Sequence, residues 1–170
     1  MEHARLLIID DDRELSSMLA TYLTGQGYQV SVLDHGGGLD VAGLGFAEVR
    51  ADGSVNVGDF QGNLRGPGGF VDITHKARKV LFCGSLTAGK GQKKFLERIK
   101  QVNFHGPTAV EKGQTVLYIT ERAVFRLTAT GLELIELAPG VEIETVRAAM
   151  GFSIAVSPML KPMDEHLFRD

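Results

Sequence analysis

The sequence predicts a single α/β domain of 170 residues, and two features support this fold class. The first is a strand, helix and strand pattern within residues 6–33, which is typical of a right-handed parallel crossover. The second is the region after residue 36, where apolar strand-like runs alternate with short helical segments and glycine-containing turns. Together they predict a mixed but mostly parallel sheet that begins with the opening crossover unit and is covered by helices.

The opening unit has a clear pattern. Leu6–Ile9 is wholly apolar, as expected for a parallel strand that is buried on both faces. Asp11 or Asp12 can cap the helix that follows, and Gly25 lies where it should end. Residues 28–33 then predict the second strand. The apolar positions of the helix recur at helical spacing on one face: Leu15, Met18, Leu19, Tyr22 and Leu23.

Residues 4–34, with the run Leu-Leu-Ile-Ile-Asp-Asp-Asp-Arg-Glu-Leu, resemble the flavodoxin-like first βαβ unit of a response-regulator receiver domain. In that family the acidic residues that end the first strand, here Asp10 and Asp11, hold Mg²⁺, and adjacent carboxylates suit a hard cation. The same carboxylates can instead cap the helix in solvent, which we favour because a receiver also needs a phosphoacceptor aspartate. Asp52 lies at a suitable distance, but its Asp-Gly pair between alternating runs predicts a hairpin turn.

The remaining sequence carries several motifs in a fixed order. These motifs are Gly36-Gly-Gly-Leu-Asp-Val-Ala-Gly-Leu-Gly, Gly66-Pro67-Gly68-Gly69-Phe70, residues 78–84, residues 116–127 and residues 134–140. In this order they make residues 36–169 similar to the C-terminal part of family I CoA transferases of the acetate/propionate and acetoacetyl type. The resemblance implies a three-layer α/β/α sandwich. It also implies acyl exchange between a carboxylate and CoA through a glutamyl-CoA thioester.

The resemblance also assigns candidate site residues. It implies that the backbone amides of Gly66, Gly68 and Gly69 form part of an oxyanion hole, a role suited to exposed amides at a helix entrance. Asn56 matches a polar residue near the catalytic centre of the family. A tight turn that requires positive φ would explain the glycines without any catalysis, so both interpretations of the loop are open.

The nucleophile of the family is absent from this sequence. In the family it is a glutamate within Ser-Glu-Asn-Gly, and no Glu-Asn-Gly occurs in the chain. Because thioester exchange needs a carboxylate nucleophile, the sequence predicts an engineered or recombinant hybrid that has no catalytic residues and no activity of its own. The alternative is acyl-CoA binding or residual CoA-transferase activity through Gly66–Phe70. No cofactor is expected under the main hypothesis; CoA and Mg²⁺ are the ligands that the two resemblances suggest.

Other segments yield more general expectations. A helix is predicted over residues 70–77 and another over 141–150, with strands at 79–83, 114–127 and 132–137. Cys83 falls within an apolar strand, which predicts a buried and inert thiol. A basic stretch could meet a CoA phosphate, although a solvated face is favoured; its members are Lys90, Lys93, Lys94, Arg98 and Lys100.

Composition excludes several classes of protein. A net charge of −3 gives no sign of a nucleic-acid partner, and a single cysteine excludes a disulfide framework. No apolar run reaches the roughly 18 residues of a membrane helix, and no signal peptide is recognised. We therefore expect a cytoplasmic protein without membrane or nucleic-acid partners. If an interface of the parent enzyme is exposed, we expect self-association into a homo-oligomer.

Overall fold

The computed structural model describes residues 5–9, 29–33, 40–60, 63–64 and 67–168, together with Ser17, Ala20, Thr21, Thr24 and Gly25. These five isolated residues are helical, which agrees with the helix predicted between the first two strands. The hydroxyl group of Thr21 donates a hydrogen bond to the carbonyl oxygen of Ser17, 2.9 Å away and one helical turn earlier. The candidate residues Asp10, Asp11 and Gly66 lie outside the described residues.

Apart from the helical residues between Ser17 and Gly25, the described part of the chain contains fifteen strands, three α-helices and two 3₁₀ turns. The strands are β1 (Arg5–Ile9), β2 (Gln29–Leu33), β3 (Val41–Gly45), β4 (Glu48–Arg50), β5 (Val55–Asn56), β6 (Asp59–Phe60), β7 (Asn63–Leu64), β8 (Lys79–Cys83), β9 (Thr87–Ala88), β10 (Gln92–Lys93), β11 (Phe95–Leu96), β12 (Thr115–Ile119), β13 (Ala123–Thr128), β14 (Gly131–Leu137) and β15 (Ala155–Pro162). The helices are α1 (Phe70–Lys76), α2 (Gly106–Glu111) and α3 (Ile143–Ala149), and the 3₁₀ turns are Gly89–Gly91 and Glu165–Phe168.

Six strands form the central sheet, in the order β15-β14-β13-β12-β8-β3. β3, β8 and β12 are parallel neighbours, and β14 is parallel to β15. β13 runs antiparallel to both β12 and β14. The sheet is therefore mixed and mostly parallel, and the predicted fold class is confirmed.

Alternation of apolar side chains explains the centre of this sheet. Val80 and Phe82 of β8 are fully buried, and in the parallel register they lie opposite Val116 and Tyr118 of β12, which are also fully buried. Successive residues of a strand point to opposite faces, so these alternate positions place one set of side chains on one face of the sheet. The buried rings of this core also include Phe46, Phe70, Phe95, Phe104 and Phe125.

One predicted strand is divided in the structure. The run 114–127 forms β12 and β13, which are antiparallel and separated by a turn at residues 120–122. The hydroxyl oxygen of Thr120 accepts hydrogen bonds from the N–H groups of Arg122 and Ala123. This side chain therefore supplies the acceptors that close the turn, without a glycine or proline to mark it in the sequence.

The predicted hairpin at Asp52 is confirmed. β4 and β5 are antiparallel, and Gly53 in the turn has a φ of +80°. β11 adds to β4 in parallel, so the hairpin belongs to a three-stranded sheet with the order β11-β4-β5. This small sheet lies beside the elements that form the candidate site.

The opening strands form a separate pair. β1 and β2 are parallel, in register from Arg5 opposite Gln29 to Ile9 opposite Leu33. Among the described strands they pair only with each other, so these pairings do not place the opening unit at the start of the central sheet. None of the described helices has the length and apolar character needed to cross a membrane.

Candidate active site

A cavity of about 620 Å³ lies at one end of the central sheet. β3 ends at Gly45 and β8 at Cys83, and the residues that follow both strands line the cavity. The cavity therefore lies outside the carboxyl ends of two parallel strands, where open α/β sheets generally bind ligands. Its apolar lining consists of Leu44, Phe46, Ala47, Val57, Phe70 and Ala88 together with Pro67.

The loop that leads into α1 borders this cavity. Pro67 and Phe70 line it, and the N–H of Phe70 donates a hydrogen bond to the carbonyl oxygen of Pro67, 3.0 Å away. Within the described part of the chain, the N–H groups of Gly68 and Gly69 donate no hydrogen bond. Of the predicted oxyanion-hole glycines, Gly68 and Gly69 are thus exposed donors that a ligand could use.

The two glycines differ in backbone conformation, and only the conformation of Gly68 favours glycine over other residues. Gly68 has a φ of +50°, so backbone geometry alone favours glycine there. Gly69 has a φ of −71°, and a Cβ atom at this position would lie 3.6 Å from the Cδ1 atom of Ile73, an ordinary contact. Neither conformation nor packing therefore requires glycine at position 69.

Asn56 lies in a polar network beside the cavity. It is fully buried; its Nδ2 donates to Glu48 Oε2 at 2.7 Å, and its Oδ1 accepts from the N–H of Gly58 at 3.0 Å. Asn103 Oδ1 also accepts from Val57 and Gly58. Asn56 does not line the cavity, but Val57 does. Asn56 therefore supports a wall of the site, and its predicted catalytic role stays a prediction.

Lys94 is the one charged lining residue among those that the structure describes. Its exposed fraction is only 7%, and its Nζ atom lies 4.1 Å from the centre of the Phe46 ring. Burial lowers the pKa of Lys94, and the negative charge of Glu121 partly offsets this effect. The prediction of a solvated basic face is thus wrong for Lys94, although Lys90 and Lys93 are exposed.

The environment of Lys94 explains why its burial was not predicted from the sequence. Its carbonyl oxygen accepts a hydrogen bond from the N–H of Val49, so the backbone here is held against β4. The next residue, Phe95, is fully buried against Phe46 and Phe125. The sequence gives one indication of this burial: a phenylalanine, a residue type that is often buried, follows the two lysines directly.

Two other sequence predictions concern metal and thiol chemistry. Within residues that the structure describes, no group of three or more His, Cys, Asp or Glu side chains could hold a metal ion. Cys83 is exposed, so the prediction of a buried thiol is wrong. Cys83 lies two residues after Leu81 and four after Lys79, on the less buried face of β8.

The mostly parallel sheet, the cavity at its carboxyl ends and the glycine loop agree with the CoA-transferase resemblance, and the comparisons with known proteins identify a CoA-transferase-like protein. The chain is 46% identical over 153 residues to acetate CoA-transferase YdiF of Escherichia coli K12, covering 80% of this chain and 29% of that protein. It is 40% identical over 157 residues to caffeate CoA-transferase of Acetobacterium woodii, covering 79% and 30%. No protein-family model matches the chain.

Two further similarities bear on the fold and assembly. The crystal structure of YdiF from E. coli O157:H7 as a thioester complex with CoA matches 99% of this chain and 41% of its own, with a TM-score of 0.80 and 34% identity. One subunit of a probable succinyl-CoA:3-ketoacid coenzyme A transferase of Bacillus subtilis is 30% identical over 151 residues, covering 81% of this chain and 63% of that subunit. The chain spans less than a third of the length of YdiF and caffeate CoA-transferase.

These similarities correct two sequence-based conclusions. The match to a CoA-transferase structure extends over nearly the whole chain, so the receiver resemblance and the hybrid origin are not supported. The prediction of no native activity is wrong, because the relatives at 40% identity or more are CoA transferases. The absence of Glu-Asn-Gly does not exclude that function, since the chain covers only part of these relatives.

Proposed function

We propose that this chain forms part of an acyl-CoA:carboxylate CoA transferase, in which the Gly66–Phe70 loop and the adjacent cavity receive the acyl group. The observation that carries the proposal is the position of two amides beside an apolar cavity, those of Gly68 and Gly69, which donate no hydrogen bond to any group that the structure describes. The fold around them matches that of a CoA-thioester complex with a TM-score of 0.80. CoA is then a substrate of this protein.

The chemistry of acyl exchange explains why free amides matter. When a nucleophile attacks the thioester carbonyl carbon, negative charge develops on the carbonyl oxygen. Fixed N–H donors stabilise that charge, and removing one such donor typically slows acyl transfer by a factor of about 10² to 10³. Gly68 and Gly69 supply donors that no other described group uses.

Gly69 supports this role independently of backbone strain. Its φ of −71° and the 3.6 Å distance from a Cβ atom to Ile73 Cδ1 would both permit alanine. A side chain here would, however, occupy the exposed surface of the loop beside Phe70, which lines the cavity. Glycine at this position keeps the amide accessible to a thioester.

The nucleophile must come from outside the sequence of this chain. The family resemblance assigns that role to a glutamate in Ser-Glu-Asn-Gly, and no Glu-Asn-Gly occurs among the 170 residues. A complementary segment or a second polypeptide would supply it, because the B. subtilis relative is named as one of the subunits of its enzyme. Homo-oligomerisation, cytoplasmic location and the magnesium ligands Asp10 and Asp11 stay predictions.

The proposal is tested by acyl-CoA binding to the full chain. Isothermal titration with butyryl-CoA should show saturable binding, and Gly68→Ala should weaken it at least tenfold. The reason is that alanine disfavours the positive φ of this loop, by about 1–2 kcal/mol, and turns the amides away. Gly113→Ala is the matched control.

Gly113 has a φ of +71° and, like Gly68, open space where a Cβ atom would lie, so its substitution applies the same strain away from the cavity. Affinity of Gly113→Ala within twofold of the unsubstituted chain supports the proposal. The absence of saturable butyryl-CoA binding, or equal losses in the two variants, contradicts it.

A further inference from the structure

Among the residues that the structure describes, the ammonium group of Lys94 is the cation that lines the cavity. Within the described part of the chain, the ammonium group of Lys94 forms no hydrogen bond and no ion pair. The nearby carboxylate of Glu121 is already engaged: Oε2 accepts from the N–H of Leu86 at 2.8 Å, and Oε1 lies 3.4 Å from Nε of Arg122. Lys94 therefore borders an apolar cavity, with the Phe46 ring as its contact and the Glu121 carboxylate as a charge that does not pair with it.

Stability does not explain a lysine at this position. Removing an ammonium group from water carries an energetic penalty even after the protein relaxes. A cation–π contact, here with Phe46, returns only part of that penalty. A neutral, unbranched side chain would occupy the same space without the penalty. The charge at this position is therefore better explained by a ligand that is present only when the site is in use.

The surroundings restrict the chemistry of that ligand. The ammonium group attracts an anion, and the single positive charge matches a single negative one. The apolar lining, which includes Leu44, Val57 and Phe70, favours an aliphatic tail over further polar groups. The phosphates of CoA carry several charges and would need more cations than this cavity provides.

We propose that Lys94 binds the carboxylate group of a small aliphatic monocarboxylate whose tail occupies the cavity beside the Pro67–Phe70 loop. This inference rests on the proposed function, since such an acid would be the acyl acceptor. Lys94 then determines which acids bind productively: a second carboxylate on the tail would be buried without a partner, at a cost that excludes dicarboxylates. The lowered pKa of Lys94 agrees with a cation that gains its counter-ion only on binding.

The test measures binding of butyrate and of its neutral analogue butyramide to the full chain, in the absence of CoA. Butyrate should bind saturably, and Lys94→Met should weaken its binding at least tenfold, whereas butyramide should bind both proteins within twofold. Lys94→Arg, which keeps the charge, should recover most of the butyrate affinity. Succinate should bind the unsubstituted chain at least tenfold more weakly than butyrate.

The control variant is Lys76→Met, an identical change at the exposed end of α1. It should leave butyrate affinity within twofold. Equal butyrate affinity of Lys94→Met and the unsubstituted chain, or no butyrate binding at all, overturns the inference. Equal weakening of butyrate and butyramide overturns it too, because that result indicates a packing role. If butyryl-CoA fails to bind while butyrate binding still depends on Lys94, the proposed function fails and Lys94 remains an anion-binding residue.

Discussion

The hydroxyl group of Tyr118 donates a hydrogen bond to the carbonyl oxygen of Gly53. Tyr118 lies in β12 of the central sheet and is fully buried, while Gly53 lies in the buried turn between β4 and β5. The bond therefore joins the two sheets. Since β4 also pairs with the backbone of Lys94, the bond positions one side of the cavity relative to the other.

Tyr118→Phe should lower the free energy of unfolding by about 1–3 kcal/mol, because the buried carbonyl oxygen of Gly53 would lose its donor. The substitution keeps the ring, whose centre lies 5.3 Å from that of Phe82, so it isolates the hydroxyl group. Urea unfolding followed by circular dichroism measures the change. A loss below about 0.5 kcal/mol with an unchanged m value would contradict the assigned role of this bond.

Gly106→Ala should destabilise the chain by about 3 kcal/mol or more, at the upper end of the range for overpacked sites. A Cβ atom at Gly106 would lie 2.0 Å from the carbonyl oxygen of Asp52 and 2.9 Å from the carbonyl carbon of Gly53. Both contacts are with backbone, so α2 or the hairpin turn must move. Thermal and urea unfolding provide the measurement.

Gly43→Ala is the control for this experiment, because a Cβ atom at Gly43 would have no neighbour within 4 Å and its φ is not positive. We expect it to change stability by less than about 1 kcal/mol. Similar losses in the two variants would show that glycine content, rather than the close approach of α2 to the hairpin, determines the effect.

The fold was predictable where local chemistry specifies geometry. Apolar alternation predicts β8, and the Asp52-Gly53 pair predicts the hairpin turn. The turn that begins at Thr120 was missed, because a threonine hydroxyl closes it within an otherwise continuous strand-like pattern. The exposure of Cys83 could have been predicted. Side chains alternate between the two faces of a strand, so Cys83 lies on the same face of β8 as Lys79, a residue type that is usually exposed.

The candidate site was only partly predictable, for a related reason. A glycine loop is contiguous in the sequence, so its motif alone is enough to name Gly68 and Gly69. The surroundings of Lys94 include the Phe46 ring and the charge of Glu121, which come from other parts of the chain. No local pattern distinguishes it from the exposed Lys93 beside it.

Asp52 should make the stability of the chain depend on acid pH. Partial burial alone would raise the pKa of this carboxyl group, but hydrogen bonds from Arg50 and Ser54 lower it below its ordinary value, so the pKa is lower in the folded chain than in the unfolded one. The stabilisation is therefore complete above the unfolded-state pKa of about 3.9 and is lost as the pH falls through the folded-state pKa.

Asp52→Asn should be less stable than the unsubstituted chain at about pH 6, and the difference should shrink towards about pH 2. Urea unfolding across this range measures it, with Asp72→Asn on the exposed surface of α1 as a control for the change in net charge. A deficit of Asp52→Asn that stays constant over this whole range would show that the pairing with Arg50 contributes nothing to the acid dependence.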